Sequence, residues 1–537
     1  MNTGQSDPGG TVAPGGRSAP NDRSAPAGRL APVLAGLVSG LLLVAVAELV
    51  ALGFSSSSAP FVAVGSAFVD IVPPWVKDLV ISLVGTWDKP VLFASMAVVY
   101  GVLTGLIGWI GARRPALAGI LLTGLGVLAA VLVLTRAQNS VLDLVPTLVG
   151  TLVAVPVLRL LLRALSGSGA DQEEPDQAAW SRRRALVVTG GVGVVALIGG
   201  GVARGVGAAR ERARTIAQFV LPRPETAADP IPEAAQVQLE GMPPILTPAA
   251  DFYRIDTALS VPRVDPTTWE LRIHGLVDRE VTLTFEELLA EPMVEAHVTL
   301  ACVSNPVGGD LAGNATWLGV PVGTLLERAG VQDGADMVLS RSVDGFTAST
   351  PLEALTDGRD ALIAVGMNGE PLPEEHGYPV RMVVPGLYGY VSATKWLTEL
   401  KVTRFADDVA YWSTRGWSER GPIKIASRVD VPRSFGDLTA EADGAVMLGG
   451  TAWAQQRGIS RVEVQLDDGE WREAELGAAI SEDTWVQWSL RWEDASPGDH
   501  SISVRATDGE GELQTDERAA PAPDGASGWH TIRFTVA

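Results

Sequence analysis

Five runs of mostly apolar residues stand in the first 205 positions, at about 30–53, 90–111, 116–134, 141–162 and 185–203. Each is close to the ~20 residues that a helix needs to cross a bilayer, so 30–205 is predicted to form a transmembrane helical bundle. The stretch 61–85 is also apolar, but Asp70, Pro73, Pro74, Lys77 and Asp78 interrupt it. It reads as an interfacial or re-entrant outer segment, with a sixth crossing as the alternative. Beyond about 250 the period shortens. Strand-like runs such as Trp269-Glu270-Leu271-Arg272-Ile273 alternate with helical pieces at Phe285–Leu289 and Val322–Ala329, which predicts an α+β domain over 251–404. From 405 to 537 the pattern is all strand. Alternating runs such as Val462–Leu466 and Ile502–Ala506, with Asp-Gly turns at 468–469 and 508–509, predict an immunoglobulin-like β-sandwich.

The segments between these blocks are polar or rich in proline and glycine. Residues 1–29 hold too little apolar surface to fold and read as a disordered cytoplasmic tail. Residues 206–250, with Leu221-Pro222-Arg223-Pro224 and Met242-Pro243-Pro244, read as a linker. Cations accumulate in short cytoplasmic loops. Five crossings from an inside start place Arg113, Arg114, Arg159, Arg163 and Arg182–Arg184 inside, and the domain after 205 outside the cytoplasm. Arg204, Arg210, Arg212 and Arg214 run against this count. Ser181-Arg182-Arg183-Arg184-Ala185-Leu186 is similar to a twin-arginine export signal, and equally fits anchoring arginines; both readings put the next domain outside.

Composition narrows the chemistry. The net charge is -21, and its acidic residues fall mostly after Glu225, so the soluble half lacks the basic surface that nucleic acid requires. One cysteine excludes disulfides, CxxCH haem sites and cysteine-ligated iron–sulfur clusters within the chain. The five histidines, His274, His297, His376, His500 and His530, all follow the apolar runs, so the membrane part has no bis-histidine haem site.

The lone thiol, Cys302, lies where the β-type run Val298-Thr299-Leu300-Ala301 breaks into Val303-Ser304-Asn305-Pro306-Val307-Gly308-Gly309. A thiol at a strand edge suits a nucleophile or a soft metal ligand, and an inert buried cysteine is the plainer reading. Three blocks decide the weight. The Cys302 loop is followed by Asn314-Ala315-Thr316-Trp317-Leu318-Gly319-Val320-Pro321. Then come Met367–Arg381, containing Asn368-Gly369-Glu370-Pro371-Leu372-Pro373 and His376-Gly377-Tyr378-Pro379-Val380-Arg381, and Val384-Pro385-Gly386 with Lys395-Trp396-Leu397. In this order they resemble the sulfite oxidase family of molybdenum enzymes. The resemblance covers roughly 251–537, and its C-terminal part, with Gly449–Trp453 and Arg461–Val464, is similar to the family's dimerisation domain.

That resemblance implies a membrane-anchored oxidoreductase carrying molybdenum on molybdopterin, with Cys302 as the protein ligand to the metal. His376, Arg381 and Lys395 match phosphate-binding positions, Asp344 a pterin-binding one, and Arg254 an arginine that meets cofactor and substrate; Tyr253 and Thr394 are further cofactor-binding candidates. The metal and its dithiolene supply oxygen-atom transfer, and the protein holds and selects. The sulfite-binding arginine five positions after the cysteine is Val307 here. A pocket tyrosine aligns with Trp417, and a later arginine aligns near Ala522, so the anion pocket is expected to be lost. The expected partners are a small-molecule substrate, the membrane, a separate electron-transfer protein or a quinone, and a second copy in a homodimer. The alternatives are a reductase of oxidised sulfur compounds such as methionine sulfoxide, and a non-catalytic membrane-tethered scaffold.

Overall fold

A computed structural model describes residues 27–54, 58–73, 76, 87–136, 139–166, 219–493 and 495–537. The run at 185–203, the stretch 181–186 and most of the tail lie outside these residues. The first helix, α1 (Ala27–Ala51), begins within the 1–29 segment, three residues before the expected start at 30. Among the described residues four helices are long and apolar enough to cross a membrane: Leu30–Ala51, Lys89–Gly111, Pro115–Leu134 and Val141–Leu165, the last including a 3-10 turn. Small residues bring the first two together. A Cβ on Gly36 would collide with the Thr104 carbonyl oxygen, and one on Gly108 with that of Pro32, so both positions need glycine for the backbones to approach. Tyr100 Oη adds a hydrogen bond to Gly40 O at 3.0 Å. The interrupted segment contains a short helix, α2 (Pro60–Ile71), with Phe68 and Ile71 exposed.

The predicted α+β region folds into two sheets. One has the order β2 (Val281–Thr284), β1 (Glu270–Gly275), β10 (Leu397–Thr403), β5 (Met337–Ser342), β6 (Thr347–Pro351). The other has β3 (Val294–Ala301), β4 (Ala312–Pro321), β7 (Leu362–Met367), β8 (Glu370–Pro371), with β9 (Arg381–Val383) also pairing β7. In β1 the pattern alternates, with Leu271 and Ile273 buried between exposed residues, whereas β7 is buried at every position. Both predicted helical pieces form over the expected residues.

The last region holds two further sheets, β11 (Ala426–Val431)–β13 (Val446–Trp453)–β17 (Val486–Trp492)–β16 (Glu475–Leu476) and β12 (Asp437–Leu438)–β19 (His530–Val536)–β18 (Gly498–Asp508)–β14 (Ile459–Leu466)–β15 (Trp471–Glu473). Their inward residues, including Leu448, Trp488, Val462, Val464, Ile502, Val504 and Phe534, share one core. The Asp-Gly turn at 468–469 joins β14 to β15.

Two segments differ from the sequence reading. Residues 405–425 contain no strand; they lie on the α+β region, with Tyr411 N donating to Thr347 O at 3.3 Å. Aromatic residues in this stretch find apolar cover there, which a strand-period pattern does not reveal. The described part of the linker, 219–250, is pinned along its length. Glu225 N donates to Met293 O at 2.7 Å, Val237 N to Gln487 Oε1 at 2.8 Å, and Ile245 O accepts from Asn314 and Trp485 at 2.9 and 3.0 Å. Proline lacks a donor, and the backbone groups between prolines are satisfied by the two regions instead.

Candidate functional site

The β3–β4 hairpin pairs Ala301 with Ala312, and the ten residues between them form the loop that starts at Cys302. This loop is rigid. Cys302 N donates to Leu311 O at 2.9 Å, Asn305 N to Cys302 O at 3.0 Å, and Leu311 N to Asn305 Oδ1 at 3.0 Å. The C-terminal sheets support it from outside: Arg428 donates to Gly309 O at 3.1 Å, and Gly308, at φ +76, packs so closely on the His530 ring that a side chain has no room. The result is a buried thiol held at one wall of a cleft. The other walls carry Tyr253, Asp344, His376, Arg381 and Lys395, and Trp412 and Trp417 close one side.

Burial pushes the Cys302 thiol pKa up, and hydrogen bonds from the Ser304 amide and hydroxyl offset only part of this. Among the described residues no base is hydrogen-bonded to it, so the arrangement does not favour an activated nucleophile. A bound transition metal deprotonates such a thiol outright, whatever its free pKa.

Arg381 is the informative cation. Only 4% of it is exposed, and it donates to the carbonyls of His376 and Met382 at 3.1 and 3.3 Å, with its guanidinium 4.8 Å from the Trp317 ring centre. Among the described residues no carboxylate lies within ion-pair distance of it. Burial pushes its pKa down to about 10. Lys395, also buried, donates to Asp256 Oδ2 at 2.8 Å and Glu375 O at 3.0 Å, and burial brings its pKa to about 8 despite Asp256. His376 shares a 2.7 Å contact with Ala249 O, which requires the proton on Nε2; burial and then Arg381 lower its pKa to about 4. A buried guanidinium with carbonyl partners only, beside a desolvated lysine and a neutral histidine, lacks negative charge. A phosphate-bearing pterin supplies that charge, and the thiol supplies a soft donor, so the residues fit the group.

The structure gathers Tyr253, Cys302, Asp344, His376, Arg381 and Lys395 around one cleft, and leaves two candidates outside its lining. Arg254 is partly exposed and pairs with Asp256 Oδ2 at 3.0 Å, the plain ion pair that its acidic neighbour offers. Thr394 is fully buried and shares a 2.7 Å hydrogen bond with Ser340. Asp344 caps its own turn, accepting from Phe346 N at 3.2 Å and from Thr257 at 3.2 Å.

Sequence reasoning missed the hub of the site. Asp256, with a side chain only 4% exposed, takes Lys395 and Arg254 on one oxygen and Lys89 on the other at 3.1 Å; Lys89 also donates to Ala258 O at 2.8 Å. Burial alone raises its pKa, but Lys395, Lys89 and Arg254 outweigh it and hold the carboxyl below the usual range. Its position two residues after Arg254 was the only signal, and Lys89 is 167 residues away.

Residues 258–412 match the family model described as oxidoreductase molybdopterin binding domain. An uncharacterized oxidoreductase of Bacillus subtilis, YuiH, is 36% identical over 157 residues, covering 29% of this chain and 76% of that protein. Rat mitochondrial sulfite oxidase is 29% identical over 280 residues, covering 43% of this chain and 50% of that one. The NADH nitrate reductase of Volvox carteri is 31% identical over 302 residues, covering 46% and 35%. The chain thus spans three quarters of the bacterial relative and half or less of the sulfite oxidase and nitrate reductase.

Proposed function

The chain belongs to the sulfite oxidase family of molybdopterin-dependent oxidoreductases, and from that premise we propose that it is a membrane-anchored oxygen-atom transferase with its catalytic region outside the cytoplasm. The observation that carries the reading is Arg381, a buried cation with no counter-ion among the described residues, beside the buried Cys302 thiol. Arg381 and Lys395 hold the phosphate of molybdopterin by charge and hydrogen bonds. His376, with Nε2 committed to Ala249, takes a proton on Nδ1 to join them. Asp344 and Tyr253 meet the pterin, and Cys302 ligates the metal. When bound, the cofactor supplies the redox and oxo-transfer chemistry. Asp256 is a positioning residue: its oxygens fix the Lys395 ammonium and the 254–258 segment.

The substrate is an uncharged small molecule, in contrast to sulfite. Val307 does not line the cleft, and Arg415 turns away to donate to Tyr411 O at 2.6 Å. Tyr390, Trp412 and Trp417 supply an aromatic wall instead. A thioether or sulfoxide suits such a wall better than an oxyanion, which favours reduction of oxidised sulfur compounds as a second reading. The outward orientation is supported by Arg113, Arg114 and Arg163 as the cations expected on the cytoplasmic side, and by the bond of Lys89 to the catalytic region. The C-terminal sheets form the family's immunoglobulin-like dimerisation domain, and electrons pass to a separate protein or a quinone.

The test is Cys302→Ser. Volume is nearly unchanged, so an inert thiol tolerates it with full activity, whereas a metal ligand does not. The expected variant is folded and cofactor-loaded, has lost sulfur-to-metal charge-transfer absorption, and is nearly inactive with any oxo-transfer substrate that the wild type turns over. An unchanged spectrum with wild-type turnover overturns the reading.

A further inference from the structure

A second cavity, of about 270 Å³, opens beside the catalytic cleft where α2 meets the α+β region. Its outer wall is Val62, Ser66 and Val69 of α2, with Thr135 and Arg136 just past the end of Pro115–Leu134. Its inner wall is Thr257, Asp344 and Phe346, and these three residues also line the cleft that holds Cys302. These shared residues separate the two spaces, and Thr257 donates to Asp344 at 3.2 Å there. The Phe346 and Tyr411 rings stand 5.8 Å apart.

The lining is about equally polar and apolar, with Asp70, Arg136, Arg263 and Asp344 as its charged side chains. Val62, Val69, Leu259 and Val343 supply its apolar part. Arg136, bonded to Asp70 at 2.8 Å, retains further N–H donors, and the Tyr411 hydroxyl makes no hydrogen bond within the described residues. These two donors, beside the apolar residues, suit a ring with two carbonyl oxygens. Phe68 and Ile71, exposed on the same short apolar helix, offer a greasy surface for a hydrocarbon tail. The chain has one cysteine and no histidine before His274, so its membrane part lacks the haem or cluster ligands for an internal relay.

We propose that this cavity binds the headgroup of a lipid-soluble quinone, which exchanges electrons with the catalytic cleft across the Thr257–Asp344–Phe346 wall. The inference rests on the oxidoreductase reading above and names its electron partner. The balance closes without another reagent. In substrate oxidation, water supplies the transferred oxygen, and its two protons with two electrons convert the quinone to the quinol. In substrate reduction, the quinol yields two electrons and two protons, and the oxygen leaves as water. Asp70, about half exposed, links the cavity to solvent for those protons.

The experiment uses the full chain in lipid nanodiscs and ubiquinone-1 as the probe. Calorimetric titration is expected to show saturable binding to wild type whether or not molybdopterin is loaded. Ser66→Trp fills the cavity and is expected to weaken binding at least tenfold; Tyr411→Phe and Arg136→Gln, which hardly change shape, are expected to weaken it several-fold each. In the loaded protein reduced by limiting dithionite, ferricyanide is expected to reoxidise wild type and Ser66→Trp at equal rates, and ubiquinone-1 to reoxidise the variant at least tenfold more slowly. Absence of saturable binding overturns the proposal, as does binding that all three variants leave unchanged. A chain that binds ubiquinone-1 but contains no dithionite-reducible centre removes the oxidoreductase reading and leaves a quinone site without its redox role.

Discussion

Arg381→Met distinguishes a cofactor ligand from a structural arginine, because the two roles give different results in the empty and loaded protein. Methionine keeps much of the length of the side chain and removes its charge. In the empty fold, burial displaces the guanidinium pKa from 12.5 to about 10, which corresponds to about 3 kcal/mol of unfavourable charge burial. Opposing this are two hydrogen bonds to carbonyls, about 1.5 kcal/mol each for a charged donor, and the Trp317 face contact, about 1 kcal/mol. These nearly cancel, so the cofactor-free variant is expected to unfold within about 1 kcal/mol of wild type. In the loaded protein the same substitution removes charge-assisted contacts to phosphate, about 2–5 kcal/mol. Cofactor affinity is therefore expected to fall roughly 30-fold or more. The assay has two arms: thermal unfolding of full-length protein from a molybdopterin-deficient host, and released pterin fluorescence with molybdenum per chain from a normal host. Full cofactor content in the variant would refute the assignment. So would a loss of more than about 3 kcal/mol in the empty protein with unchanged loading.

Asp256→Asn leaves Lys395 buried without its counter-charge and is expected to cost about 3 kcal/mol, whereas Lys89→Met, whose side chain is one-third exposed, is expected to cost about 1 kcal/mol; thermal unfolding of both variants orders them. His530 accepts the Val429 amide on Nδ1 at 3.0 Å, and burial holds its pKa near 4. Because the folded value lies below the ordinary 6.5, the stability it contributes is complete above pH 6.5 and declines as the pH falls to 4, by up to about 3 kcal/mol. Asp483, pushed up to about 6, works in the opposite sense over the same range, so the readout is the stability of His530→Gln relative to wild type, which is expected to rise as the pH falls from 6.5 to 4 because the variant lacks the loss that His530 contributes. Val220→Cys, at a position 92% exposed, is expected to react with a membrane-impermeant maleimide on intact cells, and protection until permeabilisation overturns the outward orientation.

The apolar runs, the strand alternation and the order of the motifs were legible in the sequence because each depends on near neighbours. An apolar run of about 20 residues has few stable places outside a bilayer or a large core. Alternation in β1 and β18 states which face is buried before any partner is known. The Cys302 loop, His376, Arg381 and Lys395 lie within 94 residues and keep a recognisable order. Contacts over long separations were not legible. Nothing local in Lys89 indicates that it bonds Asp256, nothing in Arg428 or His530 that they brace the cysteine loop, and nothing in Phe346 that it faces two cavities. The same holds for the linker, whose prolines suggest a free spacer while its remaining backbone donors find partners in Met293, Gln487 and Asn314. Arg254 shows the limit within one motif: sequence supplies a cation at the right place, and competition between Asp256 and the cleft for that cation is decided by tertiary distance. Local pattern determines which residues are available for burial, charge and ligation. Only the folded chain determines which of them meet, because electrostatic and hydrogen-bond energies fall off over a few ångströms of space and are indifferent to separation along the sequence.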